Sequence, residues 1–276
     1  MKLQNPSGLT FEFLESGAVK SINAGPIRIS LKAGTLFSPP GTNIFLRIKS
    51  GPVKYKPLMG PGADCRIQIA DCGLIMEGEW SGIKYSCSLK LAADSPTWQW
   101  QIETQNTTET SMELDLVYLQ DVGLKPVNAG LINEYYVAQY LERRILQDEK
   151  YGSVAICRQN MKEPTGNPWL MLACLNGAAS ASTDGMLFYG KSYRETGIPE
   201  GLLADQLAGE YAGESPVLAL QCEPFRLIPS ELRNTSFIGY YLEDHPNATS
   251  KEDLSQGTPS QRDSIPKGLH PKGTPS

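Results

Sequence analysis

Between Gln139 and Arg194 the chain gathers planar hydrogen-bond donors in three places, Gln139-Tyr140, Arg158-Gln159-Asn160 and Tyr193-Arg194, the first and last beside an aromatic ring. Amide and guanidinium groups bond sugar hydroxyls, and aromatic rings cover the apolar face of a pyranose. The same groups suit a wet interface between domains. These residues are the candidate carbohydrate-binding or domain-interface set, and the stretch from Tyr151 to Gly201 is its centre. Taken singly, Trp169 reads as core and Arg158 as a structural hydrogen-bonder, so the surface reading rests on the cluster as a whole.

Other chemistries find less support. Gly185 to Ser192, GMLFYGKS, matches the phosphate-loop pattern G-x-x-x-x-G-K-S. Such a loop wraps an anion with backbone N–H groups and runs into a helix. Here the intervening residues are large and apolar, and Tyr193 to Pro199 is short and bounded by Gly and Pro. Both histidines, His245 and His270, lie in the C-terminal segment, so a Ser-His-Asp or Cys-His arrangement or a His-based metal site needs an imidazole from a partner. No G-x-S-x-G elbow occurs. Asp115, Asp121, Glu134, Asp184 and Glu195 are candidate acids or bases, but their spacing singles out no pair. No cofactor or metal is expected.

The net charge of −5 and the absence of a basic stripe argue against nucleic acid, since phosphate contacts need clustered Lys and Arg. The opening MKLQNPSGLTFEF has no apolar signal-peptide core, and no run approaches the ~20 apolar residues of a membrane span. A cytoplasmic protein without a membrane partner is expected. Cys65, Cys72, Cys87, Cys157, Cys174 and Cys222 stand singly in apolar runs, which reads as reduced structural thiols.

The elements that must position these residues are strands. Ile83 to Leu91 alternates apolar and polar residues, and Phe11–Phe13, Ile27–Lys32, Trp98–Glu103 and Met112–Leu116 repeat the pattern. Gly and Pro clusters such as Ser38 to Gly41 and Gly60 to Gly62 separate the runs. Roughly sixteen runs exceed an immunoglobulin-like sandwich, so an all-β fold, a large antiparallel β-sandwich, is expected. Val154–Ile156, Trp169–Leu175 and Met186–Tyr189 are read as strands, with Asp184-Gly185 as a hairpin turn. Leu131 to Lys150 is read as a turn followed by a strand, and Gly201 to Ser215 as weakly helical. Residues 1–244 form the expected sandwich domain. Residues 245–276, poor in apolar residues and rich in Pro, are expected to be a linker or disordered tail.

Several segments carry a resemblance. Asn133-Glu134, Gln139-Tyr140-Leu141, Arg158-Gln159-Asn160-Met161, Gly166-Asn167-Pro168-Trp169, Phe188-Tyr189-Gly190 and Asp244-His245-Pro246 resemble the N-terminal region of 1,2-β-oligoglucan phosphorylases, members of glycoside hydrolase family 94. The likeness runs to about Leu254. It implies a galactose-mutarotase-like supersandwich that associates with carbohydrate and precedes a helical linker and an (α/α)6 barrel. In that family the barrel carries the general-acid aspartate and binds the phosphate that attacks the anomeric carbon with inversion. No residue here matches that catalytic region, so the resemblance implies a fragment that is not catalytic by itself, with a β-glucan oligosaccharide and the missing barrel as partners. Two alternatives stay open: a self-standing mutarotase-like sugar protein, against which the lack of a core histidine counts, and a purely structural module.

Overall fold

Along Ile83–Leu91 the side chains of Ile83, Tyr85, Cys87 and Leu89 are buried while Lys84 is exposed, so the period-two pattern forms one strand with the expected ends. The computed structural model describes every residue except 39–40, 71–72, 130–135, 137, 214 and 257–276. In chain order its strands are β1 (Lys2–Gln4), β2 (Leu9–Phe13), β3 (Val19–Ala24), β4 (Ile27–Arg28), β5 (Thr42–Ile48), β6 (Lys54–Pro57), β7 (Arg66–Ala70), β8 (Gly73–Trp80), β9 (Ile83–Leu91), β10 (Thr97–Asn106), β11 (Met112–Asp121) and β12 (Lys125–Pro126). They continue with β13 (Leu141–Asp148), β14 (Gly152–Gln159), β15 (Trp169–Cys174), β16 (Ala178–Asp184), β17 (Pro216–Cys222), β18 (Phe225–Leu227) and β19 (Leu232–Leu242).

β1 to β4 and β12 make a small sheet. The rest form one large sheet in the order β6-β5-β11-β17-β16-β14-β15-β19-β10-β9-β8-β7, with β13 added to β14 and β18 to β11. Between the named strands every described pairing is antiparallel except that of β16 with β14, at Gly152 and Ala178. Gly152 has φ 65°, and a Cβ there would lie 2.3 Å from the Ala178 carbonyl oxygen, so only glycine fits this joint.

The large sheet folds back on itself about one apolar layer. Leu116 and Tyr118 of β11 and Leu220 of β17 meet Trp98 and Trp100 of β10, Leu172 of β15 and Phe237 of β19 in a single buried cluster. The Tyr118 and Phe237 rings lie 5.6 Å apart, and Trp98 Nε1 donates to the Tyr118 hydroxyl at 3.2 Å. Phe11 of the small sheet packs edge-on against Trp98 at 5.5 Å. The expected all-β sandwich is therefore present.

Four local expectations are corrected. Met186–Tyr189 is not a strand but most of a short helix, α1 (Gly185–Tyr189), because Asp184 accepts the Met186 N–H at 2.8 Å and caps it. Asp184-Gly185 is thus a helix start, not a hairpin turn. Ile27–Lys32 keeps strand geometry only over β4, and the described residues of Gly201–Ser215 are irregular apart from a 3-10 turn at Glu200–Leu202. α2 (Tyr193–Thr196) precedes that turn. Fourth, the chain after Asp244 is not loose as far as it is described: His245 and Asp253 are buried, and α3 (Asp253–Gln256) follows.

The strand expected before Lys150 is found as β13; Tyr136 and Ala138, just ahead of it, are helical, and Asn133 and Glu134 lie outside the described residues. Cys65, Cys87, Cys157, Cys174 and Cys222 are free thiols, while Cys72 lies outside the described residues. Among the described residues no helix is long and apolar enough to cross a membrane.

Candidate functional site

The expected site residues fall into two places. On β14, Val154, Ile156 and Arg158 alternate with Ala155, Cys157 and Gln159, so Arg158 shares the outer face with Trp169, while Gln159 points toward the main core. Arg158 is 7% exposed; its Nε donates to the His245 carbonyl at 2.6 Å, Nη2 to the Pro246 carbonyl at 2.8 Å and Nη1 to Asn160 Oδ1. Gln159 is fully buried and its Oε1 accepts the Met161 N–H at 3.0 Å. Both residues are buried rather than on the expected surface: the Arg158 guanidinium and Gln159 Oε1 bond the chain itself, while Gln159 Nε2 is buried without a hydrogen-bond partner among the described residues. Asn160 and Gln139 are exposed and Tyr140 half-buried; the Tyr140 hydroxyl donates to that of Tyr136 at 3.1 Å.

Arg158 fastens a strap. The segment from Asp244 to Gln256 crosses the outer face of β14 and β15, where the His245 ring stacks on Trp169 and Leu254 joins the same apolar cluster. The His245 ring nitrogens meet Asp253 Oδ1 and the Asn247 carbonyl, both at 2.8 Å. A histidine placed outside the folded part by composition is thus inside it, and both of its nitrogens are engaged structurally.

Tyr193 and Arg194 belong elsewhere, on α2, and Tyr193 lines a groove of about 360 Å³. Its floor is the outer face of β5 and β11, where Asn43, Phe45 and Leu119 alternate with core residues Ile44, Leu46 and Tyr118. Tyr55 of β6, Tyr189 of α1 and Tyr193 form the sides, with Leu36 and Phe37 at the rim, 81% and 97% exposed. The rings touch in series. Tyr55 and Phe45 are 6.1 Å apart, Phe45 and Phe188 6.4 Å, Phe188 and Tyr189 5.2 Å, and Tyr189 and Tyr193 4.6 Å. None of the described lining side chains is charged. Burial, reinforced by Tyr193, pushes the Tyr55 phenol up from its ordinary value, and burial does the same for Tyr193. The phenols are therefore neutral donors and acceptors beside apolar ring faces. Arg194 is exposed and does not line the groove.

The buried carboxylates are held by arginines or backbone. Arg47 and Asp115 are fully buried and bidentate, Nε to Oδ1 at 2.6 Å and Nη2 to Oδ2 at 2.7 Å. Arg47 Nη1 donates to the Ala204 carbonyl at 2.7 Å, and Gln221 Nε2 to Asp115 Oδ2 at 2.9 Å. Arg143 Nη1 donates to Asp184 Oδ2 at 3.3 Å and to the Thr183 carbonyl at 3.1 Å. Asp121 is buried beneath the Leu31–Ser38 segment, Glu195 is exposed, and Glu134 lies outside the described residues. Sequence reasoning found Tyr193 but missed Phe45, Tyr55 and Tyr189 as its neighbours, because they come from three separate elements with no local spacing to join them.

Residues 12–239 match the family model described as the SOGP N-terminal domain. A 1,2-beta-oligoglucan phosphorylase of Listeria innocua serovar 6a is 27% identical over 210 residues, which is 75% of this chain and 18% of that protein. The chain thus spans a small part of the length of that relative. Among solved structures, a polysaccharide lyase aligns with TM-score 0.53 at 11% identity, over 86% of this chain and 33% of its own. A putative aldose 1-epimerase from Escherichia coli K12 aligns with TM-score 0.50 at 10% identity, over 87% of this chain and 98% of its own. At such identities the likeness is one of fold, the galactose-mutarotase-like sandwich. With the family model covering most of its length, the chain belongs to the SOGP N-terminal domain family.

Proposed function

We propose that this chain is the non-catalytic, carbohydrate-associated N-terminal domain of an inverting phosphorylase that converts 1,2-β-oligoglucan and phosphate to glucose 1-phosphate. In this reading the groove between Tyr55 and Tyr193 is where the domain meets glucan, and an (α/α)6 barrel supplies the chemistry. The observation that carries it is the lining: aromatic rings and neutral hydroxyls without a charged side chain. Neutral polyols with apolar ring faces suit such a surface, whereas phosphate does not, since it calls for cationic or backbone donors. The internal engagement of Asp115 and Asp184 supports a non-catalytic role.

Calorimetric titration of the chain with β-1,2-glucotetraose tests the reading. Saturable binding is expected, weakened about tenfold, or ~1.4 kcal/mol, by Tyr193→Ala and by Tyr55→Ala. Absence of binding at millimolar sugar, or unchanged affinity in both variants, would remove the groove from the account.

A self-standing sugar-binding protein is the second reading, since the fold aligns with 98% of the putative aldose 1-epimerase. The two part on the gene: a reading frame that continues into a helical barrel favours the first.

A further inference from the structure

The groove's rim at Leu36 and Phe37 belongs to the connection between β4 and β5, and Asp121 holds that connection at both ends. Its Oδ2 accepts the Leu31 N–H at 3.2 Å and the Lys32 N–H at 3.4 Å, while its own N–H donates to the Gly41 carbonyl at 2.7 Å. A Cβ on Gly41 would sit 2.4 Å from the Asp121 carboxyl carbon, so the carboxyl occupies the space that glycine leaves. Ser38 lines both the groove and the small recess over Asp121. Asp121 also lies two residues beyond Leu119 on β11, on the same outer face as the groove floor.

We propose that Asp121 is a positioning residue for the groove: without lining it, the side chain sets oligosaccharide affinity by holding the Leu36–Ser38 wall in place. The proposal rests on the reading of the groove as a glucan site and deepens it. Ionisation strengthens the two N–H contacts but leaves a charge buried beneath the segment, and the balance of the two sets how pH acts on the wall. Burial pushes the Asp121 carboxyl up to about 6, against the N–H groups and charge of Lys32, which lower it. The other groups that face it are Tyr189 and Tyr118, whose phenols its charge helps to raise, and Lys20, which lines the recess and pairs with Glu12 at 3.2 Å.

The test uses the full chain and β-1,2-glucotetraose as probe, from pH 5 to 8. Affinity is measured by calorimetry, and protection of the Leu31 and Lys32 amides, relative to their intrinsic exchange, is measured without sugar. In the wild type both should fall several-fold as pH increases through about 6, because a charge on the carboxyl beneath the segment disfavours the closed wall. In Asp121→Asn, which keeps an acceptor oxygen but cannot ionise, both should be flat. Binding with a pH-independent affinity, or a pH profile that persists in Asp121→Asn, overturns the proposal while sparing the groove. Absence of binding at every pH overturns the glucan reading and this proposal with it. If Asp121→Asn does not fold, the wild-type amide and affinity profiles decide alone: parallel falls with rising pH support the proposal and flat profiles overturn it.

Discussion

The His245 imidazole lies on the Trp169 indole with ring centres 5.3 Å apart and planes 13° from parallel. With Arg158 bonding the His245 and Pro246 carbonyls, this stack ties the strap to the outer face of β14 and β15. Arg158→Ala leaves those carbonyls short of a donor and removes the guanidinium stem that fills the space beneath them. A loss of about 2–3 kcal/mol is expected, readable as a drop of several degrees in Tm. Trypsin should cut at Lys251 readily in the variant and slowly in the wild type, with groove affinity unchanged in both.

Asp121 should make stability pH-dependent in a definite direction. Its folded carboxyl titrates near 6 because burial disfavours the charge, while an unfolded aspartate ionises near 4. Between these values the unfolded chain releases its proton first, so stability falls as pH rises through about 4 to 6 and stays lower above. Asp121→Asn removes that penalty. Its Tm should match the wild type near pH 4 and exceed it at pH 8, by roughly 1–3 kcal/mol of stability.

The Arg47–Asp115 pair predicts a non-additive cycle. Asp115→Ala leaves a fully buried guanidinium without its carboxylate and should cost about 3–5 kcal/mol. Arg47→Met combined with Asp115→Leu removes both charges and should recover most of that loss, as measured by chemical denaturation of the single and double variants. Because Arg47 also donates to the Ala204 carbonyl, the single Asp115 variant should loosen the turn at Glu200–Leu202.

Turnover and ligand discrimination test the functional reading. The chain incubated with β-1,2-glucooligosaccharide and phosphate should release no glucose 1-phosphate above the buffer background. Glucose 1-phosphate should also fail to displace β-1,2-glucotetraose, since the lining offers its phosphate no cation. Release above background would move the search for an acid to Glu195, the exposed member of the candidate carboxylates among the described residues.

The sandwich was legible because strands such as Ile83–Leu91 and Thr97–Asn106 bury alternate residues, and period two is a local signal. α1 was not, because Met186–Tyr189 is apolar throughout and suits either geometry; the deciding contact is the Asp184 cap, whose carboxylate is held by Arg143 from β13. The strap escaped for a different reason. Its composition is that of a solvated tail, and what binds it is backbone carbonyl to Arg158 and one ring on another, contacts that leave no trace in hydropathy. Of the site, Tyr193 was legible as an aromatic beside polar groups, whereas Arg158 and Gln159, planar donors of the same set, turned inward.

The order of strands in the large sheet sets a timetable for synthesis. β10 pairs along its length with β19, Thr97 opposite Tyr240 through Gln105 opposite Leu232, so one edge of β10 has no partner until the last of the described strands has left the ribosome. At ~5–20 residues per second that interval is on the order of ten seconds. Over the same interval Trp98 and Trp100 lack the Phe237 that shares their cluster. Between the synthesis of these two strands the nascent chain therefore carries an unpaired edge and indoles that lack one of their covering rings, and β19 is the strand that shields them from other chains.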